Sequence, residues 1–168
     1  MTDVFLGPHS GPEELGEEEE GALMMRLLRL AAAAEQGSEH PLAQALLHAA
    51  AAHRLTLPRL PASQLGSEEG KGVTADIPSE GGRILVGNRL LLEGYGLAVP
   101  AFLEAKMRAA EAKGKTALCV AVAGSSKAVA GSDAHAVAGS VLGVLCVSDL
   151  PKVPVTHIHS HTHTDIHI

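Results

Sequence analysis

Apolar positions recur at two different periods along this chain. From Ala22 to Gln36, Leu23, Leu27, Leu30, Ala31 and Ala34 fall on one stripe at helical spacing, predicting a first helix. Pro41 to Arg54 repeats the pattern, with Leu42, Ala45, Leu46 and Ala49 facing inward. His48 and His53 fall off that stripe and are read as surface residues. Gly37 ends the first run, and Pro41 opens the second where a missing N–H does least harm. Ahead of the pair, Met1 to Leu6 reads as a short strand and Pro8 to Gly21 as an acidic loop. Its Glu17 to Glu20 run would favour the positive end of the helix that follows.

After a Pro-punctuated connection from Leu55 to Pro61, the period drops towards two. Ser63 to Ser67 predicts a weak strand, Val73 to Ile77 a better one, and Arg83 to Val86 a third. Ser79-Glu80-Gly81-Gly82 has the composition of a hairpin turn. Leu90 to Leu92 reads as a helical turn closed by Gly94 and Gly96. A third long helix runs from Pro100 to about Lys113, with Phe102, Met107 and Ala110 inward and Gly114 as its cap. Thr116 to Ala123 and Val141 to Val147 are the clearest strands. Between them Ala-Val-Ala-Gly-Ser occurs at 121–125, 128–132 and 136–140, read as a low-complexity expansion of a hairpin loop over about 124–140. Consecutive strands joined by short turns, with helices between, imply an α+β domain with an antiparallel sheet.

The 168 residues suit one domain over about 1–150, followed by a tail of different composition over 151–168. Hydrophobic residues make up 46% but aromatics only 2%, so the core must be built from Leu, Val and Ala. A net charge of −6 without a basic patch argues against nucleic acid as a partner. No apolar run approaches the ~20 residues of a membrane span, so the chain itself reads as soluble. Cys119 and Cys146 lie in apolar strand-like runs and read as reduced core residues.

Candidate chemistry gathers at Glu35-Gln36-Gly37-Ser38-Glu39-His40-Pro41-Leu42. Here a flat imidazole is held at a helix start, beside carboxylate acceptors, which suits an aromatic base. A helix–loop–helix with solvated His and Glu side chains has the same pattern. Gly70-Lys71-Gly72 either lets backbone approach a ligand or permits a bend. In the tail, His157, His159, His161 and His163 alternate with other residues, and on a strand they would line one face, a pattern able to bind copper, nickel or zinc. A low-complexity tail with adventitious metal affinity fits the same residues.

Glu35…Ser38-Glu39-His40-Pro41, then Gly70-Lys71-Gly72, then Val86-Gly87-Asn88-Arg89 stand in one order. Together they resemble the nucleotide-binding domain of the heavy-metal (CPx-type) P-type ATPases, most like the copper-transporting branch. The resemblance runs from about Thr2 to Asp149. It implies a twisted antiparallel sheet flanked by helical hairpins, with ATP as ligand (Mg-ATP in the parent protein). It also implies phosphorylation and membrane domains as partners, and a place on the cytosolic or stromal side of a membrane. Carried over, His40 would stack on adenine and Glu35 would accept from its exocyclic amine. Gly70 and Gly72 would let backbone pass close to the ribose and phosphates, and Gly87 with Asn88 would complete the wall. The chain departs from the family in having no Asp-Lys-Thr-Gly, Thr-Gly-Glu or Cys-Pro-Cys motif. The expectation is an excised or truncated ATP-binding domain of a copper(I)-translocating ATPase, inactive alone. The alternatives are a metal-binding protein acting through its His-rich tail, or an inert α+β domain.

Overall fold

The computed structural model describes residues 2–7, 16–124 and 139–148. Residues 125–138 of the expected loop expansion, and the His-rich tail with the metal-ligand alternation read there, lie outside the described residues.

The chain order is β1 (Thr2–Leu6), α1 (Glu17–Ala34), α2 (Pro41–Ala52), β2 (Leu65–Glu68), β3 (Gly72–Ile77), β4 (Gly82–Gly87), α3 (Arg89–Gly94), α4 (Ala101–Glu111), β5 (Lys115–Ala123) and β6 (Ser140–Ser148). The strands form one sheet in the order β1-β6-β5-β4-β3-β2. Every neighbouring pair is antiparallel. The expected α+β architecture is therefore present, with Thr2–Leu6 contributing an edge strand.

The sheet is buried on both faces, which is why its central strands read as nearly continuous apolar runs. Successive residues alternate between two cores. Ile84, Val86, Leu118, Val120 and Leu145 face the side where Leu27 and Leu30 of α1 and Leu46 of α2 pack. Leu85, Cys119, Val144 and Cys146 face the side covered by Leu91 and Leu92 of α3 and Leu103 and Met107 of α4. Cys119 and Cys146 are buried, reduced thiols, as their apolar settings predicted. Burial pushes the Cys119 thiol up to about 11.

Three expectations need correction. The first helix begins at Glu17, five positions before the expected Ala22, so the acidic run forms its first turn. Carboxylates there interact favourably with the helix dipole, and Glu is a good helix former, so the loop reading loses. In α2 the buried residues are Ala43, Leu46 and Ala50, whereas Leu42, Ala45 and Ala49 are only partly buried. Small side chains at Ala43 and Ala50 let the helix lie close to its neighbour, which rotates the buried stripe by about one residue. In α4 Phe102 is 49% exposed and Leu103 is buried in its place. Leu103, Met107 and Ala110 keep the i, i+4, i+7 spacing that fits one face, and Phe102 stands one residue, ~100°, off it.

The expected turn at 79–82 is a 3-10 turn over Pro78–Glu80 followed by Gly81 in the left-handed region. Glu80 receives Arg26 Nε at 3.0 Å and also accepts from Arg29, tying α1 to the β3–β4 connection. Burial pushes the Glu80 carboxyl up, but the Arg29 and Arg26 hydrogen bonds and charges outweigh it and hold it below its usual range. The helix that ends at Glu35 is thus anchored to the sheet.

Candidate functional site

The α1–α2 loop is built by local hydrogen bonds. The Ser38 amide donates to the Glu35 carbonyl at 3.0 Å as α1 ends. His40 takes the N-cap position of α2, in extended backbone, with Pro41 as the first helical residue. Its Nδ1 accepts from the Leu42 amide at 3.2 Å, satisfying one of the helix's open donors. The ring is therefore held by the helix it caps, while its residue stays exposed. The His40 amide in turn donates to Ser38 Oγ at 3.3 Å. Gln36 Nε2 donates to the Pro58 carbonyl at 2.7 Å and pins the loop from outside.

Glu35 differs from the surface carboxylates. It is 6% exposed, and its Oε2 is a buried oxygen with no hydrogen-bond partner among the described residues. Burial raises its carboxyl above the usual range, offset in part by a hydrogen bond with the Ser38 side chain and by the charge of His40. A buried acceptor left open beside an exposed ring is a place where an N–H donor can be received.

The glycine motifs meet at the neighbouring ends of β3 and β4, where Gly72 pairs with Gly87. Gly72 has φ +146°, and a Cβ there would lie 2.2 Å from the Val86 carbonyl oxygen. A Cβ on Gly87 would lie 2.2 Å from the Lys71 carbonyl oxygen. Both glycines are therefore required by strand-to-strand approach. Gly70, at φ +69°, has open space where a Cβ would be.

Asn88 binds this turn together. Its amide donates to the Lys71 carbonyl at 2.8 Å, and its Nδ2 donates to the Gly70 carbonyl at 2.8 Å. Its Oδ1 accepts from the Leu91 amide at 3.3 Å, capping α3. Arg89, next to it, is held by Glu104 at 2.7 Å and Glu111 at 2.8 Å. Its guanidinium serves the α3–α4 pair.

A cavity of about 300 Å³ lies between the α1–α2 loop and strands β2 and β3. Ala34, Gly37 and Ser38 line it from the helix loop, and Leu65, Ser67 and Val73 from the sheet. Contact is close here: a Cβ on Gly37 would stand 3.2 Å from Leu65 Cδ1. Ser38, between Glu35 and His40 in the loop, reaches the cavity wall, and Val73, next to Gly72, reaches it from the sheet; Glu35, His40, Gly70, Gly72, Gly87 and Asn88 are not among the residues that line it. Sequence reasoning assigned no role here to Val73 or Ser67. Their only signal was position, directly flanking the glycine turn at the strand ends.

No family model matches the chain. Over 163 residues it is 32% identical to the probable copper-exporting P-type ATPase V of Mycobacterium tuberculosis, covering 97% of this chain and 17% of that protein. Over 132 residues it is 38% identical to the probable copper-exporting P-type ATPase of Archaeoglobus fulgidus, covering 75% of this chain and 13% of that protein. The chain thus spans less than a fifth of the length of these curated relatives. Among solved structures, the N-domain of HMA8, a copper-transporting P-type ATPase, matches with a TM-score of 0.54 and 19% identity, covering 88% of this chain and 97% of that one. The architecture is that of a P-type ATPase N-domain. The chain belongs to the N-domains of the heavy-metal (CPx-type) P-type ATPases.

Proposed function

We propose that this domain binds ATP in the hollow between the α1–α2 loop and the β2–β3 turn, for delivery to a phosphorylation domain of a parent copper-exporting ATPase. The observation that carries the reading is the open acceptor of Glu35, buried beside a capped His40. The adenine amine donates hydrogen bonds, and a carboxylate only accepts them, so Glu35 matches the edge of that base. The exposed face of His40 receives the ring by stacking. Gly70 and Gly72 admit the sugar and phosphates close to backbone, with Gly87 behind them. Asn88 acts from behind the turn by holding the Gly70 carbonyl.

The names of the relatives support copper as the parent's cargo, and their greater length supports further domains, including those that would cross a membrane. No helix among the described residues is long and apolar enough to cross one. The domain would accordingly work at a membrane surface, on its cytosolic side. The chain carries no Asp-Lys-Thr-Gly, so it has no acceptor for a phosphoryl group from ATP.

Isothermal titration of the chain with ATP, in the presence and absence of EDTA, tests the reading. Saturable binding at one site, retained in EDTA and without phosphate release, is expected. Failure to bind ATP at millimolar concentration overturns it. Loss of all binding in EDTA would show a bound metal to be part of the site.

A further inference from the structure

We propose a soft-metal site on the opposite flank of the α1–α2 pair, where Met24 and Met25 of α1 and His48 and His53 of α2 line a single cavity of about 550 Å³. It takes a monovalent ion of the Cu(I) or Ag(I) class, and it stands independently of the nucleotide reading. The donor set selects the ion. Thioether sulfurs are soft, neutral ligands that suit Cu(I), and imidazole suits copper as well. No group of three His, Cys, Asp or Glu able to hold a metal exists among the described residues. A divalent ion such as zinc therefore lacks the nitrogen, thiolate or carboxylate ligands it needs here. The remaining wall, which includes Val4, Leu28 and Val147, is apolar apart from Ser148 and holds no charged side chain. A low-dielectric wall with no anionic ligand penalises two charges more than one.

Both histidines are exposed, and neither belongs to the buried stripe of α2. Met24 and Met25 are partly buried and line the same cavity as the two histidines.

The test uses the full chain with the tail histidines His157, His159, His161, His163 and His167 changed to Gln, which removes their competition. Methionine methyl groups are labelled with carbon-13, and Ag(I) is added in chloride-free buffer. The Met24 and Met25 methyl signals should shift together and saturate near one equivalent, while that of Met107, buried in the other core, stays in place. His48→Gln combined with His53→Gln should weaken the apparent affinity at least tenfold. Met24→Leu with Met25→Leu, a volume-conserving pair, should do the same. Unmoved Met24 and Met25 signals overturn the proposal. So does a shift that survives the loss of both histidines, which would mark thioether contact only. A shift at Met107 alone would place the ion at Cys119, whose Sγ lies 3.5 Å from Met107 Sδ, and would equally overturn it.

Discussion

Asn88 Nδ2 donates to the Gly70 carbonyl at 2.8 Å, a link between two motifs that are 18 residues apart in the chain. The amide group is engaged at both ends, since its oxygen accepts from Leu91 N at 3.3 Å. Asn88 therefore shapes the turn that carries Gly70. Asn88→Asp keeps an oxygen for the α3 cap but removes the donor and sets a carboxylate against a carbonyl. One neutral hydrogen bond is worth about 0.5–1.5 kcal/mol, so ATP affinity should fall roughly two- to tenfold. Amide hydrogen exchange should quicken at Lys71, whose N–H donates to the Glu68 carbonyl at 3.0 Å within the same turn. Unchanged exchange there would contradict the latch.

His40 both caps α2 and offers its ring, and two substitutions separate these roles. His40→Asn retains a side-chain acceptor suited to the N-cap. It should keep the melting temperature while weakening ATP binding about fivefold to a hundredfold, by analogy with base–aromatic stacking at ~1–3 kcal/mol. His40→Ala loses the cap as well and should destabilise by about 0.5–2 kcal/mol. His48→Ala, on the exposed face of α2, is the control and should leave ATP affinity unchanged. Titration calorimetry beside circular dichroism melts distinguishes these outcomes.

Glu35 has the opposite relation to stability. Burial raises its folded-state carboxyl above the unfolded value, so the folded state holds the proton more tightly. Stability from this group is therefore lost as pH rises from the ordinary carboxylate range through the raised value, and at neutral pH it works against folding. Glu35→Gln should melt higher than the parent chain at pH 7. The difference should narrow as pH falls towards the ordinary carboxylate range. The same variant should bind ATP about tenfold or more weakly, since charge-assisted hydrogen bonds are worth about 1.5–3 kcal/mol. Its preference for ATP over GTP, whose base carries an acceptor oxygen where adenine has its 6-amine, should shrink in parallel. A variant that gains stability yet keeps that preference would remove Glu35 from base recognition.

Gly72→Ala should be the most damaging of these changes to the fold. Its Cβ would meet the Val86 carbonyl oxygen at 2.2 Å, in a conformation with φ +146°. Backbone strain and overpacking each cost about 1–3 kcal/mol, so a loss of at least ~2 kcal/mol is expected. For a domain of this size that lowers the melting temperature by roughly 4–8 °C. Gly70→Asn, at φ +69° with open space around it, should cost much less, because Asn tolerates the left-handed region. Equal losses at both positions would refute the close-approach account of Gly72.

What the sequence determined by itself follows from local rules. The 3.6-residue stripes placed α1, α2 and α4, and the Val- and Leu-rich runs placed β5 and β6, because periodicity reports which side is buried. Gly37 and Pro41 marked the loop that carries His40, since backbone constraint is written in single residues. The ordered motifs also led to the family. Tertiary structure decided the rest. Phe102 and Leu103 are neighbours with equal apolar character, and only packing against the sheet buries the second and exposes the first. The glycines at 72 and 87 looked like ligand-approach residues, and strand register shows them pressed against each other. Asn88 and Gly70 become partners only because β3 and β4 are antiparallel neighbours. Glu35 carries the same side chain as the exposed Glu39, yet the fold encloses it and leaves one oxygen unpartnered among the described residues. Burial and long-range pairing depend on the whole chain folding at once, so no local pattern could have assigned them.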